Sequence, residues 1–169
     1  KLITSGGHGG AIISKEKNLI NEIRDYLNFD LRKDNKKRFN FKMTEIQAAI
    51  GRVQLKKLPG FLKKREVIFK RYKNAGINLF DLDNRDNTNI RPVRYRAIMK
   101  TKKQKEIIKF LNKKKIKVIT PLEDWELLGN PKKTPNALKI TKNTVSLPIY
   151  PSLKKRDQET IIKNLKHFI

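Results

Sequence analysis

Apolar positions recur three to four residues apart through most of the chain, and that spacing predicts helices. Leu19, Ile20, Ile23 and Leu27 mark an amphipathic helix over 15–28, with Ser14 placed to cap it. A second helix is predicted after Thr44, whose hydroxyl suits an N-cap, while Glu45 and Gln47 in the first turn complement the helix dipole. Ala48, Ala49 and Gly51 leave that helix with one very small side, open to close approach by a neighbouring backbone. Pro59-Gly60 is the clearest break and divides the chain into two regions, 1–58 and 59–169. Beyond it, Leu62, Ile68, Phe69 and Tyr72 predict a buried face on a helix over 61–74, closed by Gly76.

The pattern then changes period. Tyr95, Ala97 and Met99 alternate with Arg94, Arg96 and Ile98, which predicts a strand. Ile107, Ile108, Phe110 and Leu111 form the apolar side of a helix over 102–114, and Ile116, Val118 and Ile119 a further short strand. The polar stretches 30–38 and 81–89 read as loops, as does the region holding Pro121, Trp125, Pro131 and Pro135. That region leads to Val145-Ser146-Leu147 and a turn at Pro148-Ile149-Tyr150-Pro151. A last helix, from Lys155, places Ile161, Ile162, Leu165 and Phe168 inside. This order predicts a small α+β layer behind a helical neck.

Composition narrows the function classes. The 169 residues carry 41 Lys+Arg against 16 Asp+Glu, a formal net charge of +25. Such charge draws attention to nucleic acid, anionic membranes and anionic small ligands. The lysines, however, are spread along every predicted element, among many isoleucines and asparagines, and runs such as Lys113-Lys114-Lys115 read as solvated helix faces. No RNP aromatic run, zinc-finger spacing or basic region joined to heptads is present, so a basic nucleic-acid-binding domain is the weaker alternative. The absence of cysteine excludes disulfides, thiolate metal sites and a cysteine nucleophile, and two histidines cannot build a histidine-rich metal centre. No apolar run approaches the roughly 18 to 20 residues a membrane span needs, and no signal-peptide pattern opens the chain. The expected location is the cytoplasm.

The candidate chemistry lies at the start, Lys1-Leu2-Ile3-Thr4-Ser5-Gly6-Gly7-His8-Gly9-Gly10, followed by Ala11-Ile12-Ile13. The glycines predict a tight turn feeding a strand. This is not a P-loop, which needs its lysine after the glycines and a Ser or Thr next. A lysine ahead of a glycine turn suits an amine that condenses with a carbonyl. The first residue is not methionine and no strand precedes the turn, so the chain reads as a C-terminal piece of something longer.

Three stretches, "KLITSGGHGG", "NFKMTEIQAAIGRVQLKKL" and "VSLPIYPSL", in this order and spacing, resemble the DegT/StrS family of pyridoxal-phosphate-dependent nucleotide-sugar aminotransferases. The resemblance covers nearly the whole chain and corresponds to the second half of a family member. It implies α/β and α+β architecture, the C-terminal half of a fold-type-I aminotransferase. Residues 1–58 would be the end of the large cofactor-binding domain and 59–169 the small C-terminal α+β domain. Lys1 falls on the lysine that forms the Schiff base with pyridoxal 5'-phosphate and shuttles the proton. Asn40 falls on the asparagine that reaches across a two-fold homodimer to the cofactor phosphate of the partner subunit. The implied substrates are a nucleotide-linked keto sugar and glutamate as amino donor, for surface polysaccharide or amino-sugar synthesis. A dehydratase branch carries histidine where Lys1 stands, and Lys1 argues against it.

Two positions depart from the family pattern. Lys42 replaces the usual arginine, keeping charge but losing the bidentate fork, and Pro121-Leu122-Glu123 stands where Pro-Leu-His is common, placing an acid that would repel a nucleotide phosphate. In family members the first half supplies the phosphate-binding turn, the ring-stacking residue and the carboxylate on the pyridine nitrogen. The 169 residues alone are therefore expected to be inactive. The alternative is a non-catalytic remnant or dimerisation piece of a split aminotransferase.

Overall fold

The structure, a computed structural model, describes residues 2–81, 92–130 and 133–169. Two compact units are present, Lys1–Leu58 and Pro59–Ile169. In the first, α1 (Lys17–Leu27) follows the predicted periodicity. Ser14 acts one step earlier than expected: its Oγ accepts the Glu16 N–H at 3.0 Å, and Glu16 is the N-cap residue, without a side-chain cap bond. The strand expected at Ala11-Ile12-Ile13 is absent. These residues are unpaired and exposed, Ile13 at 94%, because no strand among the described residues lies beside them to complete a ladder.

The long helix α2 (Glu45–Asn74) corrects the expectation of a break at Pro59-Gly60: Pro59 sits inside it and the helix continues. Proline removes one N–H and crowds the preceding turn, which is unfavourable in a helix interior but is overcome when the flanking turns are well anchored. Downstream anchorage is strong, since Ile68, Phe69 and Tyr72 are core residues. Pro59→Ala is therefore expected to raise stability by about 2 kcal/mol, read as a higher denaturation midpoint; a lower midpoint would contradict this account. Gly76, at φ +82, ends the helix as predicted, with the Ile77 N–H donating back to the Tyr72 carbonyl at 3.2 Å.

The second unit holds the core. Strands β1 (Ala97–Lys100) and β2 (Thr144–Leu147) pair antiparallel, Ala97 opposite Leu147. Single bridges extend the sheet on both sides, Leu79 to Met99 and Ile119 to Ser146. The strand expected at 116–119 is reduced to that one bridge, since only the Ile119 carbonyl accepts from Ser146 N–H, at 2.8 Å. Helices α3 (Gln104–Lys113), α4 (Pro135–Lys142) and α5 (Lys155–Leu165) complete the unit. Helix α4 corrects the reading of its region as loop: Pro135 occupies a helix start, where its missing N–H costs nothing. The loop expected at 81–89 lies, beyond Asp81, outside the described residues, as does Pro131.

Buried polar groups fix how these elements meet. Gln104 donates both amide hydrogens, to the carbonyls of Thr141 and Thr144, tying the start of α3 to the joint between α4 and β2. Gln158, fully buried on α5, donates to the Ile68 carbonyl of α2 at 2.7 Å. The Tyr72 hydroxyl donates to the Pro148 carbonyl at 2.9 Å, and burial pushes its pKa upward, keeping it a neutral donor.

Arg94 shifts the expected alternation. Its φ of +46 is left-handed, a conformation costing a β-branched-free residue about 1 kcal/mol. The kink turns Arg94 inward and leaves Tyr95 exposed, whereas Ala97 and Met99 point in as predicted. Compensation is visible: the guanidinium lies 3.8 Å from the Phe69 ring centroid and pairs with Glu66 at 2.9 Å and Asp81 at 3.0 Å. Burial opposes its charge, but these carboxylates outweigh burial and raise its pKa.

Candidate functional site

The first unit brings the two informative sequence stretches together. Gly6 and Gly7 adopt φ +75 and +133, values that require glycine, and the Gly6 N–H donates to Thr4 Oγ1 at 3.3 Å. The turn is seated on the first turns of α2. A Cβ placed on Gly6 would come within 2.9 Å of Ile50 Cδ1, and one on Gly51 would lie 3.7 Å from Ser5 Cβ. The small side of α2 is therefore, at Gly51, the seat of the glycine turn. Lys1 itself lies outside the described residues; what the structure places is the turn that follows it.

The start of α2 is fixed locally. Thr44 Oγ1 accepts the Gln47 N–H at 3.3 Å while Gln47 Oε1 accepts the Thr44 N–H at 3.0 Å, a reciprocal capping box. The sequence carries this signal as Thr-x-x-Gln, although only the Thr44 cap is read from it directly.

Asn40 sits at the apex of a three-residue turn closed by the Phe41 N–H donating to the Phe39 carbonyl at 3.0 Å. Phe39 and Phe41 stack, ring centroids 5.3 Å apart and nearly parallel at 3°, and both lie against Tyr26 of α1. With its neighbours turned onto each other, Asn40 is exposed, and its side-chain amide makes no hydrogen bond among the described residues. An exposed, unpartnered amide offers two donors to an oxyanion. Lys42 Nζ donates to Asn28 Oδ1 at 3.4 Å, a long bond that leaves its charge available.

The base of this turn is an ion-pair group that sequence reading leaves as part of an exposed loop. Arg38 is 5% exposed in its side chain and pairs with Asp25 and Asp34; Arg32 also pairs with Asp25. The Arg38 hydrogen bond, with the Lys36 N–H, holds the Asp34 carboxyl well below its ordinary value of 3.8. A carboxylate with a depressed folded-state pKa stabilises the fold above the unfolded value, and that contribution is lost as pH falls through the depressed value. Asp34 is therefore expected to remain ionised at pH 3.8 and the loop to loosen only in stronger acid, followed by carboxyl chemical shifts; titration at or above the ordinary value would contradict the pairing.

In the second unit, a groove of about 650 Å³ runs between Phe69, Phe80, Tyr95, Ile98, Leu122 and Ile140, with Arg94 and Arg96 in its wall. Sequence periodicity does not show it, because its lining comes from α2, β1, α4 and the 121–127 segment. Glu123, next to Leu122, is engaged in a capping box of its own, with Glu126 Oε2 accepting the Glu123 N–H at 2.7 Å. Among the described residues no group of His, Cys, Asp or Glu could hold a metal ion, and no helix is long and apolar enough to cross a membrane.

These two units, one a glycine turn seated on a capped helix and the other a small sheet with helices, have the fold of the C-terminal part of fold-type-I sugar aminotransferases. Three solved structures illustrate it. A DegT DnrJ EryC1 StrS aminotransferase from Brucella abortus matches with a TM-score of 0.75 at 19% identity, over 91% of this chain and 44% of that one. The sugar aminotransferase CalS13 from Micromonospora echinospora matches with a TM-score of 0.77 at 16% identity, over 99% and 49%. The PLP-form of the sugar aminotransferase Spr1654 from Streptococcus pneumoniae matches with a TM-score of 0.64 at 24% identity, over 78% and 37%. The chain belongs to the DegT/DnrJ/EryC1/StrS aminotransferase family, whose model matches residues 1–166. It spans less than half the length of these solved structures. No curated protein matches it.

Proposed function

We propose that this chain is the C-terminal part of a pyridoxal 5'-phosphate-dependent aminotransferase that moves an amino group from glutamate to the keto carbon of a nucleotide-linked sugar. The product would serve surface polysaccharide or amino-sugar synthesis, in the cytoplasm, by a homodimer. The family match over residues 1–166 carries this reading, because it includes Lys1 and the glycine turn together. The residues present suit the cofactor: the exposed Asn40 amide has the donor chemistry a phosphate oxygen accepts, and it has no competing partner among the described residues.

When bound, the cofactor supplies the electron sink for breaking a carbon–hydrogen bond. Lys1 Nζ would be the amine that holds the cofactor and the general base and acid for the proton that moves. The positive-φ glycines that follow in the sequence let the backbone turn tightly, and Gly6 and Gly51 seat that turn on α2. Asn40 would hold the cofactor phosphate of the partner subunit through its amide N–H, a contact that an isologous dimer would supply twice.

In this reading residues 1–58 end the large cofactor-binding domain and 59–169 form the small domain. The first unit supports that division: Ile12 is 65% exposed, Phe41 66% and Ile46 75%, and no hydrophobic residue in it is fully buried. Such a surface suits packing against further protein, and the 169 residues alone are proposed to be inactive. The test is amino transfer by the full-length product of the reading frame that encodes these residues. With glutamate and a nucleotide-linked keto sugar, the expected result is sugar-dependent release of 2-oxoglutarate; release that ignores the keto sugar would sink the substrate assignment.

A further inference from the structure

The Asn40 amide makes no bond of its own among the described residues, so its direction is inherited from the backbone of the turn that carries it. Much of what holds that backbone comes from Arg38, the residue just before the Phe39–Phe41 turn. Arg38 Nε donates to the Asp25 carbonyl at 3.0 Å, Nη2 reaches both Asp25 carboxylate oxygens at 3.1 and 3.0 Å, and Nη2 also reaches Asp34 Oδ2 at 3.0 Å. One guanidinium thus joins the turn to α1 and to the 30–34 loop, using donors in several directions at once. The Phe39 N–H adds a bond to the Tyr26 carbonyl at 3.1 Å, one residue along α1 from Asp25.

We infer that Arg38 is a positioning residue for Asn40: by clamping the turn to Asp25 and Asp34 it fixes the direction in which the amide donates to the cofactor phosphate. This rests on the proposed role of Asn40. A lysine can substitute only in part, because it keeps the charge but a single ammonium cannot span two carboxylates and a carbonyl in fixed geometry. Arg32 is the internal control. It shares Asp25 but lies outside the turn, bonding instead to the Asn28 carbonyl at 3.1 Å.

The experiment uses the full-length product and pyridoxal 5'-phosphate itself as probe, with affinity from equilibrium dialysis and the Asn40 side-chain amide followed by NMR. Asn40→Ala sets the scale for loss of the amide. Arg38→Ala is expected to weaken cofactor affinity about 10-fold, the scale of one hydrogen bond made poorly. It should also shift the Asn40 amide resonance, while the KM for glutamate at saturating cofactor stays unchanged. Arg38→Lys, which keeps the charge, should fall between Arg38→Ala and the unmodified protein, and Arg32→Ala should bind as the unmodified protein does. If Asn40→Ala binds normally, or the unmodified protein binds no cofactor, the functional reading fails and this inference with it. If Asn40→Ala binds weakly but Arg38→Ala and Arg38→Lys bind normally, the positioning role alone is overturned. Equal losses in Arg32→Ala and Arg38→Ala would also overturn it, by reducing Arg38 to general support of the loop.

Discussion

Replacing Lys1 with alanine in the full-length product is expected to lower the rate of amino transfer by about 10³-fold or more, with the protein still folded. The magnitude follows from the two duties proposed for one nitrogen, since a positioned general acid/base alone contributes about 10²- to 10⁴-fold. Lys1→Arg should fare no better, because a guanidinium does not lose its proton at working pH and cannot condense with an aldehyde. The glycine turn is seated on α2 through Gly6 and Gly51, so a folding defect is not expected. Single-turnover rates with glutamate would measure the effect, and turnover near the unmodified rate would remove Lys1 from the chemistry.

The largest effect on stability is expected at Phe69. It is 1% exposed, stands at the centre of the second unit's core, and carries the Arg94 guanidinium on its face. Phe69→Ala should cost about 3–5 kcal/mol through lost burial and the cavity left behind. Arg94, buried and left-handed, would lose the ring beneath it while keeping Glu66 and Asp81. A domain with about 5–15 kcal/mol of stability would then be close to unfolding at ambient temperature. Chemical denaturation of the 169-residue chain, followed by exchange of the buried amides of β1 and β2, would test this; a midpoint shifted by less than Pro59→Ala shifts it would contradict the placement of the core.

The helices were legible because their signals are local. Leu19 to Leu27, Ile107 to Leu111 and Ile161 to Leu165 show the period that a buried or half-buried helix face requires, and Gly76 marks an end. Structure and expectation differ where distant contacts decide. Pro59 looks like a breaker in isolation, yet the anchored turns after it carry the helix through. The 116–119 stretch has strand composition, but only Ile119 reaches a partner. Arg94 reads as one residue of an alternating strand, and its contacts with Phe69, Glu66 and Asp81 come from elements distant in sequence.

The site was legible in kind and only partly in geometry. The glycine turn and the Thr44 helix start are short-range signals, and the structure brings the two together through Gly51. The ion pairs of Arg38 were not visible, because Asp25 and Asp34 are separated from it by 13 and 4 residues and look like ordinary loop and helix-surface charges. The groove beside Leu122 depends on α4, which proline content concealed.

The central claim is that Lys1 is the cofactor-holding amine of an aminotransferase whose other half these residues need. The most direct measurement is to load pyridoxal 5'-phosphate, reduce with borohydride and map the labelled peptides, for both the full-length product and the 169-residue chain alone. The chain offers many surface lysines among its 41 Lys+Arg, so indiscriminate reaction has a clear signature of its own. The account predicts a single label at Lys1 in the full-length product, and weak, scattered labelling in the 169 residues alone. Scattered labelling of the full-length product, or efficient labelling confined to Lys1 in the short chain, would contradict it.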